Sequence, residues 1–473
     1  MNDANDVRQA WAELAEWGNH PELNALDSLM WRTERPPSDS CTGVVVMLLD
    51  SAPSWERLWK AHEWAVRIVP RLGEKVVEPI IPTGAPRWSK DPDFDLAHHL
   101  RRVVAPSPGT LQEVLEIAQR LGVSPLDRVR PPWIGVLVEG LEDGRAAYIL
   151  QVHHVLFDGA GATQLFIRLL SRTRESQSDK PWPDHAGRRT FTPTSVAVEG
   201  VKDQIAGVPG LLRGLTEAAI SATTHPARAV EYVRSLIRVA SPPPPTGSPL
   251  LACSTRVNWV FEPFECPIAN LKRAAKTVGG TVNDAFVCAI LGGLRNYHVA
   301  QGVAMDDVPI SRPVSVRDRN DSMGGNRFTA AFFSAPSSVS DPAERIHEMR
   351  ERVSQVRSEP ALDFISTLTP AMNLAPGGVA TAALGALATG AAMTTSSWLG
   401  LSDERYLAGA RFDRMFVFGP LPGTTMCAAL CTHVDTACIG LNIDGGVYTD
   451  RRLFRECVTL AFEEVLALGA PSS

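Results

Sequence analysis

The stretch Gln151-Val152-His153-His154-Val155-Leu156-Phe157-Asp158-Gly159-Ala160-Gly161 places two histidines at the end of a predicted strand and two glycines in the turn that follows. The apolar run at residues 146–153 is typical of a buried strand, and Glu142-Asp143-Gly144 predicts a hairpin turn from a strand at residues 134–139. After the turn, apolar residues recur at the spacing of one helix face: Ala162, Leu165, Phe166, Leu169 and Leu170. The stretch therefore joins a strand to a helix through a loop, which is where functional residues are commonly placed.

The residue types in this loop allow several interpretations. Because successive side chains of a strand point to opposite faces, His153 and His154 are not expected to act as a pair, and both could be buried structural residues. The same geometry and the absence of an H-E-x-x-H motif disfavour a metal site. Gln164 occupies the third glycine position of a dinucleotide-binding fingerprint, and the sequence contains no G-x-S-x-G or Walker motif. The remaining chemical interpretation is a single histidine that takes a proton from a hydroxyl group near neutral pH.

The composition is that of an ordinary globular protein and excludes several classes. The chain has 473 residues, of which 44% are hydrophobic and 21% charged, and its net charge is −6. This net negative charge gives no sign of the basic surface that nucleic-acid-binding proteins carry. The eight cysteines form no C-x-x-C pair, so zinc ribbons and thioredoxin-type sites have no support and buried free thiols are expected. The N-terminal residues lack the cations and the apolar segment of a signal peptide.

Strand and helix patterns alternate along the chain, which predicts α/β layers. Further strands are predicted at residues 44–49, 257–261, 308–316, 327–334 and 437–443. Further helices are predicted at residues 55–69, 111–121, 268–278, 283–297 and 342–356, and after Asp450, a good N-cap residue.

Three segments between these elements have distinctive compositions. Residues 201–239 are helical in character, with an expected break at Gly207-Val208-Pro209. The proline run within Ser241–Gly247 predicts a semi-rigid linker. No charged residue occurs between Asp363 and Asp403, and we expect residues 371–401 to form a small-residue helix that is buried or grazes a membrane, because its glycines and threonines dilute the hydrophobicity that a spanning helix needs.

The motif His153-His154-Val155-Leu156-Phe157-Asp158-Gly159 matches the HHxxxDG motif of CoA-dependent acyltransferases, and the chain resembles the bacterial wax ester synthase/diacylglycerol acyltransferase family. The matching segments follow one another over nearly the whole chain: Leu26–Glu34, Trp88, Asp93–Arg101, Leu126–Trp133, Thr281–Asp284, Pro313–Arg317, Gly325-Asn326 and Tyr406–Ala410. The sequence departs from the family at Ser396–Leu401, where the family usually has SNVPGP and only Ser396 and Gly400 are kept.

The resemblance implies an α/β (α+β) fold of two chloramphenicol-acetyltransferase-like halves, each a mixed β-sheet flanked by helices, with a channel between them. We accordingly expect an N-terminal helical extension at residues 1–20 and a first half at residues 21–180 that carries the motif. A helical crossing segment with the proline-rich linker is expected at residues 181–249, and a second half at residues 250–473.

The resemblance also implies a reaction and a site. His154 is expected to be the general base that activates an acceptor hydroxyl for attack on the thioester of a long-chain acyl-CoA, without a covalent enzyme intermediate. Diacylglycerol or a long-chain alcohol is the expected acceptor, and acyl-CoA is a substrate, so no cofactor and no metal are expected. Three residues are expected to support the motif: His153, Asp158 and Gly159. Three residues of the second half are candidates near the channel: Asn283, Asp284 and Arg317.

Because the expected acceptors are membrane lipids, the resemblance implies a cytoplasmic protein associated peripherally with a membrane or a lipid droplet. Residues 201–239 could form the contact surface, or they could be an ordinary solvated helix. Two alternatives to the function stay open. The departure at Ser396–Leu401 is compatible with a lipid- or acyl-CoA-binding protein that has lost turnover, and the acceptor could be another hydroxyl or an amine.

Overall fold

The structure, a computed structural model, describes residues 11–35, 40–175, 180, 182, 189–241, 243–252, 258–315, 326, 328–362 and 391–470. The strands are β1 Thr42–Leu49, β2 Glu74–Val77, β3 Arg87–Lys90, β4 Leu100–Val104, β5 Trp133–Glu139, β6 Ala146–His153, β7 Trp259–Pro267, β8 Val308–Ser315, β9 Phe328–Ala335, β10 Met393–Leu401, β11 Tyr406–Leu407, β12 Ala410–Phe418, β13 Met426–His433 and β14 Thr436–Asp444. The helices are α1 Ala25–Thr33, α2 Trp55–Ile68, α3 Leu96–His99, α4 Leu111–Val123, α5 Gly159–Leu169, α6 Pro193–Thr224, α7 Pro226–Ala240, α8 Ile268–Thr277, α9 Val282–Ala300, α10 Pro342–Arg357 and α11 Arg451–Ala467.

Two six-stranded sheets dominate the structure, with strand orders β11-β12-β1-β6-β5-β4 and β7-β14-β13-β10-β8-β9. Both are mixed, because β4 runs parallel to β5 in the first sheet and β10 runs parallel to β8 and β13 in the second, while their other described pairs are antiparallel. Helices flank each sheet, and these two mixed sheets confirm the predicted α/β fold class.

The second half contributes two strands to the first sheet. Strands β11 and β12 lie in the sequence of the second half, yet they complete the first sheet, where Val44 of β1 is paired with Phe418 of β12. The N-terminal segment also packs into the first half, since Leu14 and Trp17 are fully buried there. The domain boundaries predicted from the sequence remain a prediction, but the first sheet draws its strands from both of the predicted halves.

Strand β1 shows why the first half needs a continuous apolar run. Val45, Met47 and Leu49 face a core that is shared with α2 and α5, whereas Val44 and Val46 face a second core between the two sheets. Because side chains alternate between the faces of a strand, a strand that is buried on both faces must be apolar at every position. The inter-sheet core also contains Phe261 and Phe418, whose rings stack with centroids 4.1 Å apart.

Local signals placed most elements correctly. The predicted hairpin between β5 and β6 is confirmed, with Asp143 and Gly144 at positive φ angles of 60° and 70°. The predicted start of the last helix is also confirmed, because the Asp450 side chain accepts a hydrogen bond from the Leu453 N–H. Of the seven described cysteines, all except Cys41 are buried.

The predicted break at Gly207-Val208-Pro209 is wrong. Helix α6 runs through Pro209, and the break lies at His225, between α6 and α7. Proline removes one backbone hydrogen bond and leaves the carbonyl of Ile205 without its helical partner. Residues 201–210 are all exposed, so solvent can hydrogen-bond that carbonyl and the helix can continue.

The prediction of a small-residue helix at residues 371–401 is also wrong in the part that is described. Residues 393–401 form strand β10, and residues 371–390 lie outside the described part of the chain. Thr394, Thr395 and Trp398 suit a pleated strand, and β8 and β13 supply backbone partners on both sides.

Within the described ranges, no single helix is both long enough and apolar enough to cross a membrane. The pair α8 and α9 passes the test of length and composition together, but the two helices meet at an angle of 93°. Their apolar residues are largely core residues of the second half.

Candidate active site

The two motif histidines stand at the end of β6, where the first sheet faces the second half. Backbone hydrogen bonds hold them, since the His153 N–H donates to Pro132 at 3.0 Å and the His154 N–H donates to Cys41 at 2.9 Å. His153 is buried and His154 is half-buried, with Phe328 of β9 packed edge-on against its ring at a centroid distance of 5.6 Å. His154 is therefore positioned by the first sheet and contacted by the second half.

The buried amide of Asn326 determines which ring nitrogen of neutral His154 carries the hydrogen. The Asn326 Nδ2 donates to the backbone oxygen of His154 at 2.7 Å and also to the carboxyl group of Asp27. These two acceptors fix the orientation of the amide, so the Asn326 Oδ1 faces the Nδ1 of His154 at 3.1 Å. An amide oxygen can only accept, so Nδ1 carries the hydrogen and the lone pair of neutral His154 lies on Nε2.

The surroundings keep His154 uncharged. Burial lowers the pKa of His154 below its ordinary value, and the nearby charge of Asp158 opposes this effect only in part. Burial also raises the pKa of Asp27 to about 8, against the hydrogen bond from Asn326. Near neutral pH the imidazole of His154 is therefore uncharged. The carboxyl group of Asp27, to which Asn326 donates, is also uncharged.

His153 occupies a structural position. Its Nδ1 accepts a hydrogen bond from the Val155 N–H at 3.1 Å, and its Nε2 lies 3.3 Å from the Glu34 carboxylate. Burial would raise the pKa of Glu34, but its contacts with His153, Cys41 and Arg128 outweigh burial and lower it. These contacts tie the motif loop to the chain after α1.

Asp158 and Gly159 shape the start of α5. The Asp158 carboxylate accepts from the Gly161 N–H at 2.7 Å, which makes it the N-cap of the helix. A Cβ placed on Gly159 would lie 3.4 Å from the Cβ of Trp398 on β10. Gly159 therefore lies next to a side chain of the second half.

Asn283 and Asp284, at the start of α9, both contact Arg312 of β8. Asp284 closes a capping box with Thr281 at the start of α9, and its Oδ1 lies 3.1 Å from the Nη1 of Arg312. The side-chain oxygen of Asn283, with its amide oriented to satisfy both partners, accepts from the Nη2 of Arg312 at 2.7 Å. Arg317 lies outside the described residues. The described partner of this pair is the buried Arg312.

The segment Ser396–Leu401, which differs from the usual family sequence, lies in β10. It contacts both α5 and the cluster of Asn283 and Arg312. Trp398 stacks on Phe166 at a centroid distance of 5.7 Å and donates to the Thr163 hydroxyl, both on α5. The neighbouring Ser397 is within 3.1 Å of Asn283. Gly400 is retained because a Cβ there would lie 1.8 Å from the backbone oxygen of Thr432. The segment thus joins the motif helix to the Asn283–Arg312 cluster.

Within the described part of the site, the neutral imidazole of His154 is a group that can take up a proton near neutral pH. Among the described residues, no set of three or more His, Cys, Asp or Glu side chains is arranged to hold a metal ion. Sequence reasoning found His154 but gave no role to four residues that position the site: Asp27, Arg312, Asn326 and Trp398. Asp27 and Asn326 lay in segments that match the family pattern, yet only the fold shows that Asp27 contacts Asn326 and that Asn326 contacts His154.

Two family models match this chain. The model for the wax ester synthase/diacylglycerol acyltransferase catalytic domain matches residues 23–286, and the model for the C-terminal domain of the same family matches residues 324–465. Together they include His154, the residues Asn326 and Phe328 that contact it, and Asp27, which contacts Asn326.

Individual proteins agree with these matches. A protein of Mycobacterium tuberculosis H37Rv named as a diacyglycerol O-acyltransferase is 36% identical over 97% of this chain and 95% of its own length. Two solved structures share the fold. The wax ester synthase/diacylglycerol acyltransferase from Marinobacter aquaeolei VT8 has a TM-score of 0.62 at 21% identity, covering 95% of this chain and 100% of that one. The first condensation domain of the calcium-dependent antibiotic synthetase has a TM-score of 0.63 at 16% identity, covering 95% and 97%.

Proposed function

The chain belongs to the wax ester synthase/diacylglycerol acyltransferase family, and from this premise we propose that it transfers a long-chain acyl group from acyl-CoA to a lipid hydroxyl with His154 as the general base. The observation that supports this role most directly is the contact of Asn326 with Nδ1, which leaves the lone pair of His154 on Nε2. That nitrogen can accept the proton of an alcohol.

In the proposed reaction, the Nε2 of His154 removes the hydroxyl proton as the acceptor oxygen attacks the thioester carbonyl. The new carbon–oxygen bond forms, the carbon–sulfur bond breaks, and the proton on Nε2 passes to the departing thiolate of CoA. A general base of this kind contributes about 10²–10⁴-fold to the rate. Acyl-CoA is the donor substrate, and the mechanism assigns no cofactor, metal or covalent enzyme intermediate.

The proposed acceptors are diacylglycerol and long-chain alcohols. The test is an acceptor panel with radiolabelled palmitoyl-CoA that includes dioleoylglycerol, hexadecanol, a glycolipid hydroxyl and a long-chain amine. We expect labelled triacylglycerol or wax ester from the wild type and a loss of at least about 100-fold in His154→Ala. His347→Ala is the matched control, because His347 is exposed on α10 and remote in sequence from the motif.

Two outcomes of this panel would reject parts of the proposal. Full activity in a folded His154→Ala variant would exclude His154 as the base. Product only with the glycolipid or the amine would keep the acyltransferase but replace the acceptor class.

We further propose that α6 and α7 rest on a lipid surface. Val201, Ile205 and Val208 lie at helical spacing on α6 with exposed fractions of 43%, 68% and 48%. Val230, Val233 and Ile237 form a similar exposed row on α7. Exposed apolar rows on helices that also carry arginine are typical of helices that lie in a membrane interface, which suits an enzyme with lipid acceptors.

A further inference from the structure

A cavity of about 550 Å³ lies inside the first half, away from the residues that contact His154. It is enclosed by α2, α5 and the outer face of the first sheet, and its walls are mostly apolar. Representative wall residues are Met47, Leu150, Leu165 and Phe412. A cavity of this volume falls in the range of small-molecule binding sites, and the proposed acyl transfer does not require it.

The cavity is elongated along β6. Tyr148, Leu150 and Val152 line it at alternating positions of the strand, which span about 13 Å at 3.3 Å per residue. Leu156 and Phe157 of the motif loop line one end. The turn between β11 and β12, where Ala408 and Gly409 have φ angles of 50° and 93°, borders the opposite end, beside Arg57. This shape suits a linear chain better than a compact ring.

The one polar pair inside the described wall is already satisfied. The His62 Nδ1 donates to the Leu58 carbonyl at 2.8 Å, and the Tyr148 hydroxyl lies 2.7 Å from Nε2, to which it can donate. Burial lowers the pKa of His62 to about 4 and raises the pKa of Tyr148 above its ordinary value. Both groups are uncharged near neutral pH, so the interior offers no counter-charge to a polar ligand.

The mouth of the cavity is basic. Arg57 and Lys60 are exposed on the first turns of α2, and Lys180 lies 4.3 Å over the ring of Trp64. Glu175 is the only acidic residue in the described lining, and Glu56 pairs with Lys60 at 2.7 Å just outside it. Three cations therefore face two carboxylates at the mouth. An anionic group at this entrance would be attracted, while its apolar remainder would be drawn into the interior.

We propose that this cavity binds the linear hydrocarbon chain of a single-chain lipid whose anionic head group stays at the mouth beside Arg57, Lys60 and Lys180. A long-chain fatty acid and its CoA thioester share this chemistry. The mouth lies toward the Leu49 and Ala146 end of the β1–β6 pair, and His153 lies at the opposite end, paired with Thr42. The mouth therefore lies at the opposite end of β6 from His154, while Leu156 and Phe157 of the motif loop line the inner end of the cavity. Binding in this cavity does not depend on the proposed reaction.

The test is equilibrium binding to the His154→Ala protein, which removes turnover from the measurement. Palmitate and palmitoyl-CoA are titrated separately while tryptophan fluorescence is followed, since Trp64 and Trp133 line the cavity. We expect saturable quenching of the fluorescence of the His154→Ala protein, with the same affinity as that of the wild-type protein. Ala65→Phe should fill the interior and weaken binding by at least about tenfold, because it displaces several buried CH₂ contacts. It should not lower the unfolding temperature, since it adds apolar atoms to empty space.

Two charge-reversal variants test whether the basic residues at the mouth contribute to binding. Lys60→Glu should weaken binding several-fold at low salt. Lys202→Glu is the matched control, because Lys60 and Lys202 are exposed helix residues that each pair with a glutamate one turn away. Binding of palmitate identifies the free acid as a ligand, and binding of palmitoyl-CoA alone identifies the thioester. Wild-type affinity in a folded Ala65→Phe variant, or loss of binding on His154→Ala alone, would overturn the proposal. Absence of acyl transfer would not affect it.

Discussion

Asn326 determines which nitrogen of His154 can act. The amide lies 172 positions away in the chain, and its two hydrogen bonds to Asp27 and to the His154 backbone leave only its oxygen for Nδ1. A histidine base depends on such a partner, because the tautomer sets where the lone pair lies. Asn326 is therefore a positioning residue for the proposed base.

Substitution of Asn326 should change the pH dependence of the reaction. Asn326→Asp keeps an oxygen beside Nδ1 and adds negative charge, so the inflection of kcat/KM that reports His154 should move to higher pH. Asn326→Ala should lower kcat about five- to tenfold, the value of one lost hydrogen bond, with little change in KM for acyl-CoA. Steady-state kinetics across pH measure both effects. An unchanged inflection in Asn326→Asp would argue for a purely structural role.

Asp27 should make stability depend on pH. Burial raises its pKa to about 8 in the folded protein, while an unfolded chain has the ordinary value near 3.8. Between these values the folded protein holds a proton that the unfolded chain has lost. The contribution of Asp27 is therefore complete below about pH 4 and declines as the pH rises toward 8.

The variant Asp27→Asn should remove this decline. We expect the unfolding temperature of Asp27→Asn to rise relative to that of the wild type as the pH is raised from about 5 to about 8. Asp143→Asn, in the exposed turn before β6, is the control. Parallel curves for Asp27→Asn and wild type would show that Asp27 is ionised in the folded protein.

At the scale of elements, periodicity predicted what local sequence determines. The strands β1, β5 and β6, the helices after Asp450 and Thr281, and the turn at Gly144 follow from apolar spacing, N-caps and positive φ. Strand β10 was missed because its small residues lack helical or alternating periodicity, and neighbouring strands decide its state. Likewise, His154 could be predicted from its motif, but its contact with Asn326 depends on two distant segments meeting.

The contact of Gly159 with Trp398 predicts how the motif helix tolerates substitution. An added Cβ would be in ordinary contact with the tryptophan, so Gly159→Ala should fold with little change in stability. Gly159→Val should lose about 1–3 kcal/mol through overpacking, and Trp398→Ala in the same chain should restore part of the loss. Denaturant unfolding measures both. A Gly159→Val variant that is as stable as wild type but inactive would favour the interpretation that a side chain obstructs the substrate channel.

The exposed rows of α6 and α7 predict membrane binding. Replacing Ile205 and Ile237 with glutamate should weaken flotation with anionic lipid vesicles several-fold, because each change removes apolar area and adds repulsion. Val299→Glu, at an exposed position near the end of α9, is the matched control. Equal flotation of the double variant and the control would place the lipid contact elsewhere.

At the scale of the whole molecule, the contribution of β11 and β12 to the first sheet predicts that the first half is not stable alone. A fragment of residues 1–240 would lack β12, and the apolar strand β1 would become an open sheet edge. Such an edge promotes aggregation. We expect this fragment to be insoluble when produced by itself and to become soluble when it is co-produced with residues 241–473. A monomeric, cooperatively unfolding fragment would contradict this expectation.

The pairing of β1 with β12 also affects how the protein folds while it is being synthesised on the ribosome. Strand β1 ends at Leu49 and its partner β12 begins at Ala410, about 360 residues later. At roughly 5–20 residues per second, β1 waits about 20–70 s for that partner to be synthesised. Throughout this interval, a nascent apolar strand stays without its permanent neighbour. We therefore expect the yield of folded protein to depend on translation speed and on chaperones that protect β1, as well as on the stability of the finished fold.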